Sequence, residues 1–185
     1  MSDLMARLDK LKQKIQTEDF LFGKGLSNEV NIWFFCYEPI EEMVIKHFVG
    51  TLLTDQSITC SIYHFDLYKV FLDICKDKKI LNAIPNMEDK KGKKYLLKQM
   101  NSIATDTTFI NKMDFNPQTR GKDVLVLSGI GDVFPFMRIH NLLESMQPYF
   151  SVPILVLYPG KFEDAHLQLF GRLKPNPYYR AFNIV

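Results

Sequence analysis

Two short runs of consecutive apolar residues limit the folds open to this chain more than any other feature. Residues 124–127 read Val-Leu-Val-Leu and residues 154–157 read Ile-Leu-Val-Leu. Strands that are apolar at every position are typical of parallel sheets buried on both faces. Segments with helical periodicity separate the predicted strands, which favours parallel pairing through helical crossovers. The sequence therefore predicts an α/β fold, an open and mostly parallel sheet of about five strands with helices on both faces.

The remaining elements follow from turn residues and periodicity. In the helix after the first strand, residues at helical spacing predict the buried face, namely Ile40, Met43, Val44, His47, Phe48 and Thr51–Leu52. Asp66 is placed to cap the helix after the second strand. Strands are predicted at residues 30–37, 57–64, 123–128, 152–158 (ended by Pro159 and Gly160) and 179–185, and helices at 3–17, 40–52, 67–75, 86–101 and 134–147.

The length of 185 residues suits a single domain covering residues 1–185. Residues 1–20 hold an amphipathic helix whose narrow apolar seam either packs on its own domain or docks to a partner helix as an arm. The seam is formed by Leu4, Leu8, Leu11 and Ile15. No signal peptide and no apolar run of about 20 residues is recognisable. We therefore expect a cytoplasmic protein without a membrane segment.

Neither the net charge nor the spacing of the cysteines indicates a bound nucleic acid or metal, and we expect no cofactor. The formal net charge is +2, too small to indicate nucleic-acid binding from whole-chain electrostatics. Cys36, Cys60 and Cys75 have no metal-ligand spacing, and they lie in strand-like or helical runs. Buried, reduced thiols are the expected state, in agreement with a reducing compartment.

Polar residues collect where the predicted strands end, at 37–38, 64–66, 129–132 and 158–161. Ligands and partners of open α/β sheets gather at this edge. The loop at residues 37–42 has three carboxylates and neither the glycines nor the lysine of a phosphate-binding loop. Gly129 and Gly131 predict a tight turn, with a nucleotide or phosphate sensor as the weaker alternative. With no hydrolase or zinc motif recognisable, we expect no catalytic residues.

The C-terminal residues 170–182 contain two arginines, two tyrosines and two phenylalanines around a Pro-Asn-Pro turn. Tyrosine and arginine often carry the binding energy of protein interfaces. Internal pairing of an arginine with Glu38 or Asp132, a protein interface and a nucleic-acid contact all remain open. Another segment, which is rich in lysine, predicts a surface helix that is either solvated or in contact with phosphates. Its lysines are Lys90, Lys91, Lys93, Lys94 and Lys98.

Three sequence blocks resemble a known family. Residues 126–138 hold a hydrophobic strand, Gly-x-Gly and an aromatic-Pro-Phe-x-Arg pattern, and residues 158–161 form a Tyr-Pro-Gly-Lys turn. Residues 169–173 and 178–182 match the sequence motifs at the C-terminal end of the same family. In these blocks the chain resembles the BREX (bacteriophage exclusion) protein B, or BrxB, family, formerly a domain of unknown function. The similarity is specific over residues 123–185 and looser in the N-terminal two-thirds.

The resemblance implies a component of a multi-protein system that blocks phage replication and methylates host DNA. It also implies a fold similar to a P-loop-type core without nucleotide motifs, and no catalytic residues. The alkaline-phosphatase-like protein PglZ is the implied direct partner, and the large ATPase and the methyltransferase are further candidates. We expect a non-catalytic adaptor; a nucleic-acid-binding accessory that uses the lysine-rich helix and the C-terminal arginines is the alternative. Candidate partner-binding residues are Tyr37, Glu38, Arg138, Tyr158, Lys161, Arg172, Tyr178, Tyr179 and Arg180.

Overall fold

The centre of the molecule is an open parallel sheet. The computed structural model describes residues 3–24, 31–113, 118–177 and 182–185. The strands of the sheet are β1 (Ile32–Tyr37), β2 (Ser61–Asp66), β3 (Asp123–Ser128), β4 (Ile154–Glu163) and β7 (Phe182–Asn183). They lie in the order β2-β3-β4-β1-β7, and every neighbouring pair is parallel. The predicted fold class is confirmed.

Helices cover both faces of this sheet and form two separate cores with it. One face carries α1 (Asp3–Lys14), α2 (Glu18–Phe22) and α3 (Glu42–Thr54). The other carries α4 (Leu67–Asp77), α5 (Ile84–Ile103), α6 (Asp106–Lys112), α7 (Ile130–Val133) and α8 (Ile139–Met146). Because strand side chains alternate between faces, Phe34 enters one core and Phe35 the other. All six residues of β3 are buried, as its continuous apolar run predicts.

The helix α1 packs on its own sheet, the first of the two arrangements considered for it. Leu4, Leu8 and Leu11 are buried in the core that α1 shares with β1, β3 and β4. The Arg7 guanidinium donates a hydrogen bond of 2.6 Å to the carbonyl oxygen of Cys36. The apolar seam of α1 is thus covered by the chain itself, and α1 does not extend outward as an arm.

The buried face of α3 differs from the prediction. Ile45, Val49 and Leu52 face the core. The first part of the expected stripe instead faces outward. Its exposed members are Ile40 in the short 3-10 turn Pro39–Glu41, Met43, Val44 and His47. At the end of the stripe, Leu52 is buried and Phe48 partly buried, as predicted. Apolar residues occupy most of the circumference of this helix, so periodicity alone could not decide which stripe packs on the sheet.

The start of one strand and the continuity of one helix in the first half of the chain differ from the prediction for local reasons. The strand predicted from residue 57 begins at Ser61, because the amide and hydroxyl of Ser57 both donate to Asp55 and form a turn. The long helix α5 is interrupted at Gly92, whose φ of 78° lies outside the helical region. Its lysines therefore lie on two helical segments.

Two boundaries in the second half also differ. The helix predicted from residue 134 is preceded by the short helix α7 and begins only at Ile139. Pro135 disfavours helical conformation in the residue before it, which explains the break. The strand β4 continues through Pro159 and Gly160 to Glu163 and pairs antiparallel with β5 (His166–Leu169). A further two-residue strand, β6 (Asn176–Pro177), pairs with β5. Residues 179–181 of the predicted final strand lie outside the described residues.

Candidate partner-binding surface

The carboxyl ends of the parallel strands form one edge, as the sequence predicts. Asp66 at the end of β2 is in register with Ser128 at the end of β3, and Tyr37 at the end of β1 is in register with Pro159. The loops that follow β1, β2 and β3 therefore meet at this edge.

Tyr37 is a core residue. Its side chain is 2% exposed, and its hydroxyl donates a 2.6 Å hydrogen bond to Oε2 of Glu42. Burial raises the pKa of Tyr37, and the neighbouring Glu42 carboxylate raises it further. The phenol therefore stays protonated and holds Glu42 at the start of α3. This position leaves the side chain almost no surface for a partner.

Tyr158 is also buried, with 2% of its surface exposed. Its ring meets that of Phe34 edge to face, with the ring centroids 5.6 Å apart. Burial raises the pKa of its hydroxyl as well. The Tyr-Pro-Gly-Lys block thus begins inside the sheet, and only its last residue, Lys161, reaches solvent. Lys161 is paired with Gln168 in the β4–β5 hairpin.

Glu38 and Arg172 lie together beside one shallow depression of about 520 Å³. Its remaining lining is mainly apolar and consists of Pro39, Ile40, Phe170 and Leu173. Both charged residues are exposed. Asp132, the other acidic partner considered for an arginine, instead pairs with Lys46. The structure thus places Glu38 and Arg172, which are 134 positions apart in the sequence, at one patch of the edge.

Arg138 is exposed but lines a different depression, which it shares with His140 and Leu173. The nine candidate residues are therefore not a single cluster. Tyr178, Tyr179 and Arg180 lie outside the described residues. Their assignment to an interface stays a prediction, as does that of the exposed candidates.

An apolar patch beside Glu38 was missed in the sequence because its residues were predicted to be core. Ile40 is 93% exposed, Met43 73% and Val44 40%. Ile40 lies in the 3-10 turn that precedes α3, and Met43 and Val44 lie in the first turn of α3. We call these three residues the α3 patch. The sequence signal that could have located it is the excess of apolar residues in α3 over what one buried stripe requires.

A second cavity of about 680 Å³, the α3–α4 groove, opens between α3, the end of β2 and the start of α4. On its floor, Nε2 of His64 lies 2.8 Å from the Ser128 hydroxyl oxygen. The Asp66 carboxylate accepts hydrogen bonds from the amides of Tyr68 and Lys69, which confirms its predicted role as a helix cap. His64 and Ser128 thus hydrogen-bond to each other and Asp66 bonds to the start of α4, while the Ser128 hydroxyl has hydrogen-bonding capacity beyond this one contact.

His64 does not pair with Cys36, a combination that would have suggested a thiolate. Cys36 packs against the core on the opposite face from the His64–Ser128 pair. Burial raises the pKa of the Cys36 thiol to about 12, so it remains protonated at neutral pH. Within the described ranges, no group of three or more His, Cys, Asp or Glu residues could hold a metal ion.

The charged side of the lysine-rich segment faces solvent, whereas its apolar residues Leu96 and Met100 pack on the core. Lys90, Lys91, Lys93, Lys94 and Lys98 are exposed. The Lys91 ammonium lies 4.4 Å from the centroid of the Tyr95 ring and 3.1 Å from its hydroxyl oxygen. Among the helices of the described residues, none is long and apolar enough to cross a membrane.

Comparison with known proteins gives the chain its family. The family model described as BREX protein BrxB matches residues 63–184. A Bacillus cereus protein named BREX protein BrxB is 32% identical over 100% of this chain and 99% of its own length. A protein of the same name from Escherichia coli is 24% identical over 97% of this chain and 90% of its own. No solved structure matches. Since the family model covers more than half of the chain and a full-length relative exceeds 30% identity, the chain belongs to the BrxB family of BREX proteins.

Proposed function

We propose that this chain is a non-catalytic adaptor subunit of a BREX anti-phage system in the cytoplasm, and that it binds other BREX proteins. PglZ is the first candidate partner, followed by the large ATPase and the methyltransferase. The α3 patch is the observation that carries the proposal. Ile40 and Met43 together present apolar surface to solvent at the edge where α/β sheets meet their partners. Contiguous exposed apolar surface is characteristic of interaction sites.

The charged neighbours of the α3 patch suit a protein partner. Arg172 and Glu38 lie beside Ile40 at the same depression. An apolar centre with charged residues at its border is the usual composition of protein interfaces. Arg172 offers planar, directed hydrogen bonds to a carboxylate or carbonyl of the partner, and Glu38 offers an acceptor of opposite charge.

Co-purification tests the proposal directly. The tagged protein is recovered from cells that express the neighbouring gene cluster, and PglZ is followed by mass spectrometry. We expect PglZ with the wild type and much less with Arg172→Glu, since reversing an exposed charge changes the interface and leaves the fold intact. Equal recovery of PglZ by a folded Arg172→Glu variant would count against this surface.

Nucleic-acid binding is the second candidate, favoured by one observation. All five lysines between residues 90 and 98 are exposed. A DNA-binding role predicts an affinity that falls by roughly 0.9 log units per phosphate contact for each tenfold rise in salt. Charge reversal at Lys93 and Lys94 would then weaken a gel shift at low salt. Absence of any shift at low salt would remove this candidate.

A further inference from the structure

Gly50, in the interior of α3, has no structural need to be glycine. Glycine inside a helix is less stable than alanine by about 0.5–1 kcal/mol. Glycines are commonly explained by close packing, yet a Cβ atom built at Gly50 would have no heavy atom within 4 Å apart from its two chain neighbours and the nearby backbone of its own helix. The position faces the α3–α4 groove, which it lines. The missing side chain thus leaves open space on the outside of the molecule.

The charges around the α3–α4 groove are already compensated. The Lys46 ammonium lies 2.8 Å from Asp132 and 3.7 Å from Glu42, and Asp66 is held by two amides at the start of α4. Lys69 adds one further cation at the border. Three carboxylates against two lysines give neither the positive field that phosphates require nor an uncompensated acidic cluster for a cation. An uncharged occupant fits this lining best.

The surfaces of the groove are of two kinds. Val49, Leu53 and Tyr68 line its walls with apolar surface, and Leu53 and Tyr68 are partly exposed. The Ser128 hydroxyl, on a residue only 7% exposed, and the His64 ring form the polar floor. Ligand sites commonly combine apolar walls with a few fixed hydrogen-bonding groups, and the cavity lies within their usual range of about 300–1,000 Å³. This combination suits an apolar side chain together with part of its peptide backbone.

The groove continues the α3 patch. Met43 and Gly50 are seven residues apart, two turns of the same helix, and therefore lie on the same face of α3. A polypeptide that covers Met43 reaches the border of the groove about 10 Å further along the helix axis, at about 1.5 Å per residue. A partner segment of moderate length spans both.

We propose that the α3–α4 groove receives an uncharged, apolar anchor side chain from a polypeptide segment of the partner protein, and that Gly50 leaves the opening for it. The inference rests on the proposed adaptor function and adds the chemistry of the occupant. Ser128 and His64 contribute hydrogen-bonding groups to the backbone of the anchor segment. Apolar anchors in preformed pockets typically supply much of the binding energy of an interface.

Substitution of Gly50 separates binding from folding. Gly50→Met extends a flexible apolar side chain over the groove, while methionine is a better helix former than glycine. We expect its urea midpoint to equal or exceed that of the wild type and its affinity for purified PglZ to fall at least tenfold. Gly50→Ala should change the affinity less than threefold. The matched control is Thr51→Met, which places the same side chain on the neighbouring exposed position outside the groove lining.

The outcomes distinguish this inference from the adaptor function itself. If Met43→Glu loses PglZ binding while Gly50→Met binds normally, the groove is not the anchor site and the adaptor function stands. If neither variant affects PglZ binding, both proposals fail. A Gly50→Met protein that unfolds more easily than the wild type would also overturn the inference, because the open space at Gly50 would then be required by the fold.

Discussion

The Lys46 ammonium nitrogen lies 2.8 Å from Oδ2 of Asp132, a contact that joins α3 to α7 across 86 residues of sequence. It places the helix that follows β1 against the Gly129–Asp132 turn that follows β3. The negative charge of Asp132 is thereby compensated from within the chain. Both residues line the α3–α4 groove, so this pair fixes the position of α3 relative to the turn at one side of the groove.

The contribution of this ion pair to stability should be small. Both side chains are more than 40% exposed, and exposed pairs typically contribute about 0.2–1 kcal/mol. We expect a double-mutant cycle of Lys46→Ala and Asp132→Ala, measured by urea unfolding, to give a coupling energy in that range. A coupling energy above about 2 kcal/mol would show that the pair is far better shielded from solvent than its exposure indicates.

Two glycine-to-alanine substitutions should change the stability in opposite directions. At Gly129, φ is 71°, and a Cβ atom would overlap the Asp66 carboxylate that caps α4. We expect Gly129→Ala to lower the free energy of unfolding by about 1–3 kcal/mol. Gly50→Ala should raise it by about 0.5–1 kcal/mol, because its position is open and helical. Urea unfolding of both variants tests this, and two changes of the same sign would contradict it.

Stability should decline from neutral to mildly acidic pH because of two partly buried histidines, His64 and His140. Burial lowers the pKa of His64 below its usual value; Lys69 acts in the same direction and Asp66 opposes it. As the pH falls, the unfolded state takes up the proton before the folded state, so the free energy of unfolding decreases below the pKa of the unfolded histidine. His140 is shifted in the same direction, again mainly by burial.

Urea unfolding between about pH 7.5 and 5.5 measures this effect above the range where carboxylates usually titrate. The slope contributed by one proton cannot exceed about 1.4 kcal/mol per pH unit. His64→Gln keeps a hydrogen-bonding group beside Ser128 and should make the profile flatter, and His140→Gln should act in the same way. An unchanged profile in both variants would assign the pH dependence to other groups.

The sequence was most informative where one local signal decides the structure. The apolar run of β3 fixed a strand buried on both faces, and Asp66 before an amphipathic helix fixed a cap. The face of α3 could not be predicted, because this helix has two apolar stripes and only tertiary packing chooses between Ile45 and Met43. For the same reason, the α3 patch was not predicted from the sequence. The continuation of β4 through Pro159 was missed because its stabilising partner, β5, is a tertiary contact.

The candidate surface could be predicted only as a region. The strand pattern placed the ends of β1 and β3 at Tyr37 and Ser128 and so located Glu38 at the edge, whereas β4 extends five residues beyond its predicted end and includes Lys161. Whether a residue at the edge points outward depends on the alternation of each strand, and Tyr37 and Tyr158 point into the cores. The meeting of Arg172 with Glu38 depends on the path of the β4–β5 hairpin and the turn after it, which no local pattern encodes.

The affinity of the purified protein for purified PglZ, measured by isothermal titration calorimetry, tests partner binding at the α3 patch most directly. Two variants provide a matched comparison, because each places a carboxylate on an exposed methionine: Met43→Glu in the α3 patch and Met5→Glu on the outer side of α1. We predict that Met43→Glu weakens binding at least tenfold and that Met5→Glu stays within twofold of the wild type. Wild-type affinity in a correctly folded Met43→Glu protein would contradict partner binding at the α3 patch.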